Sequence, residues 1–151
     1  MELAEVVMGT EYLFQGSCHC GGIRVRLACT RPAEQLQVRS CQCGFCTRQG
    51  SLTVSDPDGQ AVFEVDAAHY VPYAFATGSA TSVICGRCGV YAGAVLTEGG
   101  KSWSIANTRG LGMAEFRGRT GDAMEYEQET AAQRVARRKA RWTPTDWRVT
   151  D

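Results

Sequence analysis

Alternation of apolar and polar residues dominates the first two thirds of the chain. Segment 23–27, Ile-Arg-Val-Arg-Leu, is the clearest case, because every second side chain is aliphatic and the others are arginines. A period of two is typical of a β-strand with one buried face. We predict strands over 12–16, 23–27, 36–40, 51–54, 61–65, 70–76, 81–84, 90–96 and 103–107.

Turn sequences separate these predicted strands. The chain contains 17 glycines, and Asp-Pro-Asp-Gly at 56–59 and Glu-Gly-Gly at 98–100 are strong turn signals. Segment 47–50 is also expected to be a turn. Many short strands joined by such turns predict a mainly β fold. With 151 residues, the chain has the length of a single domain, 1–151, with a β core over 12–110.

The C-terminal part changes to residues that favour helices. Segment 122–142 is rich in Ala, Glu, Gln and Arg, so we predict a C-terminal helix there. Its acidic residues come first and its basic residues last, which suits the helix dipole. We expect the bases from Arg134 to Arg141 to be solvated, and Thr143-Pro144 to end the helix.

Charge and hydropathy argue against a nucleic-acid-binding, a membrane-spanning and a secreted protein. Sixteen basic and sixteen acidic residues cancel, which argues against nucleic acid as a partner. No apolar run approaches the roughly 18 residues that a membrane span needs. The first residues include two acids and no basic cluster, so we expect no signal peptide and a cytoplasmic protein.

Eight cysteines are the main chemical signal. In a reducing compartment, clustered cysteines indicate a metal site or catalysis more often than disulfides, although the disulfide alternative stays open. Cys18 and Cys20 form one close pair, and Cys85 and Cys88 form another. Two such pairs facing each other would make a closed, structural four-thiolate zinc site.

A third cluster, at 41–46, has the spacing C-x-C-x-x-C. Cys41, Cys43 and Cys46 can converge on one zinc ion and leave its fourth position open, as in a catalytic site. That position is available to water, to a substrate thiol or to a side chain, with His69, Asp56 and Cys29 as the protein candidates. The alternative is a second structural zinc with a hidden fourth ligand. For Cys29 itself, an inert buried thiol is the simpler interpretation.

Three cysteine motifs in this order resemble a known family. The motifs are Gly-Ser-Cys-His-Cys-Gly at 16–21, Cys-x-Cys-x-x-Cys-Thr-Arg-x-Gly at 41–50, and Cys-x-x-Cys-Gly-Val at 85–90, with Asn107 near the end of a strand. They are similar to the signature of the glutathione-dependent formaldehyde-activating enzyme family, which includes centromere protein V. The resemblance covers roughly residues 12 to 110.

The resemblance implies a fold, two cofactors and an activity. The fold would be an Mss4-like β-tent with zinc knuckles. Cys18, Cys20, Cys85 and Cys88 would hold a structural zinc, and Cys41, Cys43 and Cys46 a second, catalytic zinc. The activity would be that of a carbon–sulfur lyase acting on an adduct of a thiol, such as glutathione, and an aldehyde, such as formaldehyde.

Individual residues and rival functions complete the expectations. Arg48 would lie near the open zinc and steer a substrate carboxylate, or else be a solvated arginine. Tyr70, Tyr73 and Phe75 are expected in the core. One rival is a binding module with two structural zincs, in which the basic helix contacts nucleic acid or protein. The other is a redox or metal sensor that uses the middle cysteines.

Overall fold

A computed structural model describes residues 10–151, and the first residues, for which no signal peptide is expected, lie outside this range. The described chain is mainly β. Its strands are β1 Tyr12–Ser17, β2 Ile23–Cys29, β3 Arg39–Cys41, β4 Thr53–Val54, β5 Gln60–Asp66, β6 Tyr70–Tyr73, β7 Thr81–Cys85, β8 Tyr91–Glu98, β9 Lys101–Asn107, β10 Asp122–Met124 and β11 Thr143–Thr150. The helices are α1 Gly44–Gln49 and α2 Ala131–Arg141, and short 3-10 turns lie at Ala33–Gln35 and Ala114–Phe116.

All of these strands belong to one branched sheet. One path runs in the order β1-β2-β5-β11-β9-β4-β3-β10, and β8, β7 and β6 branch from β9. The branch forms because β9 uses both edges. One edge pairs with β11 and then with β4, while the other pairs with β8 along its length.

The alternating pattern of the sequence explains the core. In β2, Ile23, Val25 and Leu27 are buried while the arginines between them are partly exposed. Phe63 of the neighbouring β5 is fully buried and lies opposite Val25 in the antiparallel pairing. The strand predictions over 12–16, 23–27, 61–65, 81–84, 90–96 and 103–107 are therefore confirmed with small shifts of their ends.

The C-terminal prediction needs correction in its limits. The helix is α2, Ala131–Arg141, and does not extend over 122–142. It begins at a capping box, in which Thr130 Oγ1 accepts from the backbone of Gln133 and the Gln133 side chain accepts from Thr130 N. Residues 122–124 instead pair with β3 as a parallel strand. The acids of this segment thus precede the helix, and its first turn contains none.

The predicted limit of the β core at residue 110 is also wrong. Strand β11 lies between β5 and β9 and pairs with both. Sequence reasoning used Thr143-Pro144 only to end the helix. Pro144 sits at the second position of the strand, near its start, where a missing N–H is tolerated.

Further segments differ from the prediction. Segment 47–50 is not a simple turn, because its first three residues belong to α1 and Gly50 caps that helix with a positive φ of 61°. The strand expected over 36–40 is reduced to β3, and the one over 70–76 stops at Tyr73. None of the described helices is both long and apolar enough to cross a membrane.

Candidate metal centres and the adjoining cavity

Four cysteines from the two outer motifs converge at one point. Cys18 follows β1, Cys85 is the last residue of β7, and Cys20 and Cys88 lie in the turns that follow. Their four sulfur atoms all lie within 4.8 Å of one another. The prediction that the pair Cys18 and Cys20 meets the pair Cys85 and Cys88 in one group is therefore confirmed.

Their spacing fits a tetrahedral metal ion. The sulfur atoms of Cys18 and Cys20 are 3.7 Å apart, and those of Cys20 and Cys85 are 3.5 Å apart. A tetrahedron with Zn–S bonds of about 2.3 Å has edges of about 3.8 Å. The group can therefore hold a metal ion without rearranging its backbone.

Backbone groups favour charged sulfur in this cluster. Ile23 N donates to Cys18 Sγ at 3.2 Å, and Cys88 N donates to Cys85 Sγ at 3.4 Å. Burial nevertheless raises the pKa of Cys18 to about 12. For Cys88 burial acts in the same direction, but hydrogen bonds from the backbone of Cys20 and Val90 prevail and lower its pKa to about 6. A cation would take the place of the protons that these sulfur atoms share.

His69 lies beside this closed group and not beside the middle cluster. Its backbone oxygen accepts from Gly86 N at 2.6 Å, and its Nδ1 is 3.9 Å from an oxygen of Asp66. Gly22 permits this approach, because a Cβ atom there would lie 2.1 Å from His69 Nδ1. His69 is therefore not placed to complete the three-cysteine site.

The middle cluster is built by the junction of β3 and α1. Cys41 ends β3, Cys43 is the N-cap of α1, and Cys46 lies in the first turn of that helix. The Cys43 sulfur accepts a hydrogen bond from Cys46 N at 3.3 Å, which fixes the loop. All three sulfur atoms lie within 4.8 Å of one another, so this group can also hold a metal ion.

No fourth protein ligand completes this second group within residues 10–151. No other His, Cys, Asp or Glu in this range brings a ligand atom within 4.8 Å of all three sulfur atoms. Asp56 is buried elsewhere and accepts from Thr30 N and Thr30 Oγ1, both at 2.7 Å. Cys29 is fully buried, and burial, assisted by the charge of Asp56, raises its pKa to about 12. The three protein candidates for the fourth position are thus all placed away from it.

The pKa values of Cys41 and Cys46 are shifted in opposite directions. A hydrogen bond from Cys46 lowers the pKa of Cys41 to about 6, even though burial opposes this shift. The same interaction, together with burial, raises the pKa of Cys46 far above its usual range. At neutral pH the cluster therefore carries a thiolate, which is the form of cysteine that binds metal and attacks carbon.

A cavity of about 600 Å³ adjoins the three cysteines. Phe45, from the cysteine loop, packs at its wall with its ring centroid 5.0 Å from Tyr91, 5.1 Å from Phe75 and 5.5 Å from Tyr73. Tyr73 and Phe75 are 48% and 38% exposed, so the prediction that they belong to the core is wrong. Together these rings form an apolar wall next to the sulfur atoms.

Tyr91 is the residue of this wall whose titration is affected by the three cysteines. It is buried, and burial together with the charges of the three cysteines raises the pKa of its phenol well above 10. Asn107 holds this residue, since its Nδ2 donates to Tyr91 O at 2.8 Å while its Oδ1 accepts from Leu52 N at 3.1 Å. Sequence reasoning singled out Asn107 but missed Tyr91.

Arginines make another part of the cavity lining positively charged, in contrast to the apolar wall. Arg48 is an exposed residue on the lining, and its guanidinium donates to Gly44 O at 2.7 Å. The helix α2 adds Arg134, Arg137 and Arg138, which are partly buried and not a fully solvated face. Their i, i+3, i+4 spacing was the signal that could have placed them on one side of the helix.

Comparison with known proteins adds fold information alone. No family model matches the chain, and no curated protein matches it. The crystal structure of a Rhodobacter sphaeroides protein, solved as a structural genomics target, superposes with a TM-score of 0.53 at 22% sequence identity. The match covers 74% of this chain and 99% of the other. The chain thus shares a fold with a solved protein, while its two cysteine groups carry the evidence about chemistry.

Proposed function

We propose that this protein is a zinc-dependent enzyme of the carbon–sulfur lyase type, acting on the adduct of a thiol and a small aldehyde. The observation that carries the proposal is the three-cysteine group, which opens onto a cavity and has no fourth protein ligand among residues 10–151. A closed structural site would need that fourth ligand. An open one leaves room for a substrate.

The two groups would have separate roles. Cys18, Cys20, Cys85 and Cys88 would hold a structural zinc that ties β1 to β7, so that its binding energy contributes to folding. Cys41, Cys43 and Cys46 would hold the second zinc. When bound there, the ion would supply Lewis-acid activation of a thiol or carbonyl group. The thiolate-favouring environment of Cys41 and the backbone bond to Cys43 suit this ligand set.

The family resemblance of the cysteine motifs supplies the substrate class. In the lyase direction, the C–S bond of an S-hydroxymethyl thiol breaks and its electron pair goes to sulfur. The hydroxyl proton leaves as the C=O bond forms, which gives a free thiol and formaldehyde. The apolar wall around Phe45 would exclude water from this step. Membership of that family, and an Mss4-like β-tent as the fold, are part of the proposal.

The nucleic-acid rival has less structural support. It needs the arginines of α2 on an open surface, yet Arg134, Arg137 and Arg138 line the cavity, and Glu129 contacts two of them. Phosphate contacts require guanidinium groups that reach outward. The described geometry therefore favours a small-molecule ligand for this helix.

The test is a rate measurement on S-hydroxymethylglutathione. Formaldehyde release would be followed by NMR for the zinc-loaded protein, for Cys43→Ser and for an enzyme-free blank, since the adduct also forms and decays without help. We expect release well above the blank for the wild type and a loss of at least a hundredfold in Cys43→Ser. Cys29→Ser, in a buried thiol outside the cavity, is the matched control and should keep the wild-type rate. Equal rates in all samples would overturn the proposed reaction.

A further inference from the structure

Cationic side chains outnumber carboxylates on the lining of the cavity, which has five arginines and two glutamates. Arg39 of β3 and Arg134, Arg137 and Arg138 of α2 all line the same space. Glu129 accepts both of its bonds from Arg137 Nε, at 2.8 and 3.1 Å, and lies 3.8 Å from Arg134 Nε. This carboxylate partly neutralises two of the five guanidinium groups that line the cavity, the fifth being that of Arg48.

Arg39 and Arg138 have only neutral partners. Arg138 donates to Ser79 Oγ at 2.7 Å, and Arg39 donates to Ser55 Oγ. Within residues 10–151, neither forms an ion pair with a carboxylate, and Arg138 Nε is buried without a hydrogen-bond partner. Glu125 and Glu127 also line the cavity, but neither is paired with these two arginines.

Both guanidinium groups are costly in this setting. Burial and the neighbouring Arg137 and Arg134 lower the pKa of Arg138 to about 10. Arg39 is partly buried as well. A partly buried charge without a counter-charge is stabilised when an opposite charge joins it. Two groups of this kind on the lining of one cavity are suited to a bound anion, because each guanidinium still has free donors for a planar or tetrahedral oxyanion.

The apolar wall constrains the rest of such a ligand. Phe45, Tyr73 and Phe75 lie with their ring centroids 5.1 to 5.5 Å apart, and two of these rings are substantially exposed. Exposed aromatic clusters beside charged donors are typical of sites that bind an amphipathic small molecule. A fully hydrophilic anion would leave this wall without a partner.

We propose that the cavity binds a small molecule with an apolar body and a carboxylate or phosphate group, and that Arg39 and Arg138 bind this oxyanion. For the reaction, this inference rests on the proposed function. The two arginines would then hold the end of the substrate that is remote from its sulfur atom. For binding, the inference depends only on the residues that line the cavity. Its test must therefore use ligands with neither thiol nor aldehyde.

The probes are 3-phenylpropionate, 2-phenylethyl phosphate and the uncharged 3-phenylpropanol, titrated into the full-length protein as purified and followed by ¹⁵N chemical shifts. We expect at least one anion to bind the wild type tenfold or more tightly than the alcohol, and the tighter anion identifies the oxyanion. Arg39→Gln and Arg138→Gln should each weaken that binding about tenfold while leaving the alcohol unchanged, in line with a charge-assisted hydrogen bond. Arg138→Lys should recover part of the loss.

Arg117→Gln is the matched control, because Arg117 is exposed and does not line the cavity. Equal affinity of the wild type for the anions and the alcohol would overturn the inference, and this comparison needs no variant to fold. Unchanged anion binding in both arginine variants would overturn it as well, since the anion would then be held by a metal ion or by the surface. None of these readouts depends on turnover. The binding site can thus be confirmed even if the lyase reaction fails its own test.

Discussion

The side-chain amide of Asn107, at the end of β9, joins the start of β8 to the residue before β4 by donating to Tyr91 O at 2.8 Å and accepting from Leu52 N at 3.1 Å. Both bonds are buried, so neither group has water as a substitute. The relationship matters for the site because Tyr91 lines the cavity beside the three cysteines.

Replacing Asn107 by Asp tests this bridge with the shape of the side chain retained. The acceptor for Leu52 N stays, but a carboxylate oxygen would face the carbonyl oxygen of Tyr91 in place of a donor. We expect a loss of about 3 kcal/mol in the free energy of unfolding, measured by denaturant titration. Gln49→Glu makes the same amide-to-acid change on an exposed side chain and should shift stability by less than about 0.5 kcal/mol. Equal effects of the two changes would show that the bridge does not stabilise the fold.

Asp56 is predicted to be structural and not a metal ligand. Its side chain accepts from Thr30 N, Thr30 Oγ1 and Asp58 N, and its own N–H donates to Thr143 Oγ1 at 2.8 Å. Asp56→Ala should lower the free energy of unfolding by about 3 kcal/mol and leave the metal content unchanged. Asp58→Ala, at an exposed neighbour, is the control. Loss of one metal ion in Asp56→Ala would restore it as a ligand.

Cys29 should behave as an inert thiol with a clear pH signature. Burial and the charge of Asp56 raise its pKa to about 12, above the value near 9 of an unfolded thiol. The folded state therefore keeps the proton, and the stability that this group contributes is complete below pH 9 and is lost as pH rises toward 12. At pH 10 we expect the wild type to have lost about 1 kcal/mol more stability, relative to pH 8, than Cys29→Ala.

The same thiol gives a chemical readout. Native protein treated with iodoacetamide at pH 8 should show no modification of Cys29 by peptide mass spectrometry, because the thiol is both protonated and buried. Unfolded protein, the control, should be modified there. Rapid labelling of Cys29 in the native protein would contradict its placement.

The last strand should be essential to the fold. Trp147 of β11 packs with its ring centroid 6.0 Å from Phe63 and 5.4 Å from Tyr70, and β11 pairs with both β5 and β9. Removing residues 143–151 would leave two central strand edges unpaired. We expect loss of the cooperative thermal transition by circular dichroism, whereas removal of the exposed Asp151 alone should preserve it. A stable chain ending at 142 would mean that the β core closes without β11.

The sequence was most informative where one local rule decides the structure. The Ile-Val-Leu alternation of β2 predicted its buried face, and the cysteine spacings predicted which thiols meet. Both signals are short-range or chemically specific. They needed no knowledge of the sheet order.

It was least informative where distant strands decide the outcome. Nothing local in Thr143–Thr150 shows that β5 and β9 leave a gap for it. Tyr73 and Phe75 have the composition of core residues, but α1 places Phe45 against them at the cavity instead of burying them in the sheet. The arginines of α2 line the cavity, and Arg137 is paired with Glu129 there. The order of charges along the sequence does not show this placement, so it suggested a solvated helix end.

Metal content per chain, measured by plasma mass spectrometry on the wild type and on Cys43→Ala, tests the two-site interpretation most directly. Both proteins would be purified without added zinc or chelator, and circular dichroism would confirm that the variant is folded. We predict two zinc ions in the wild type and one in the variant, because the four-cysteine group shares no ligand with the three-cysteine group. One zinc ion in both proteins, or two in both, would contradict a separable second zinc site at Cys41, Cys43 and Cys46.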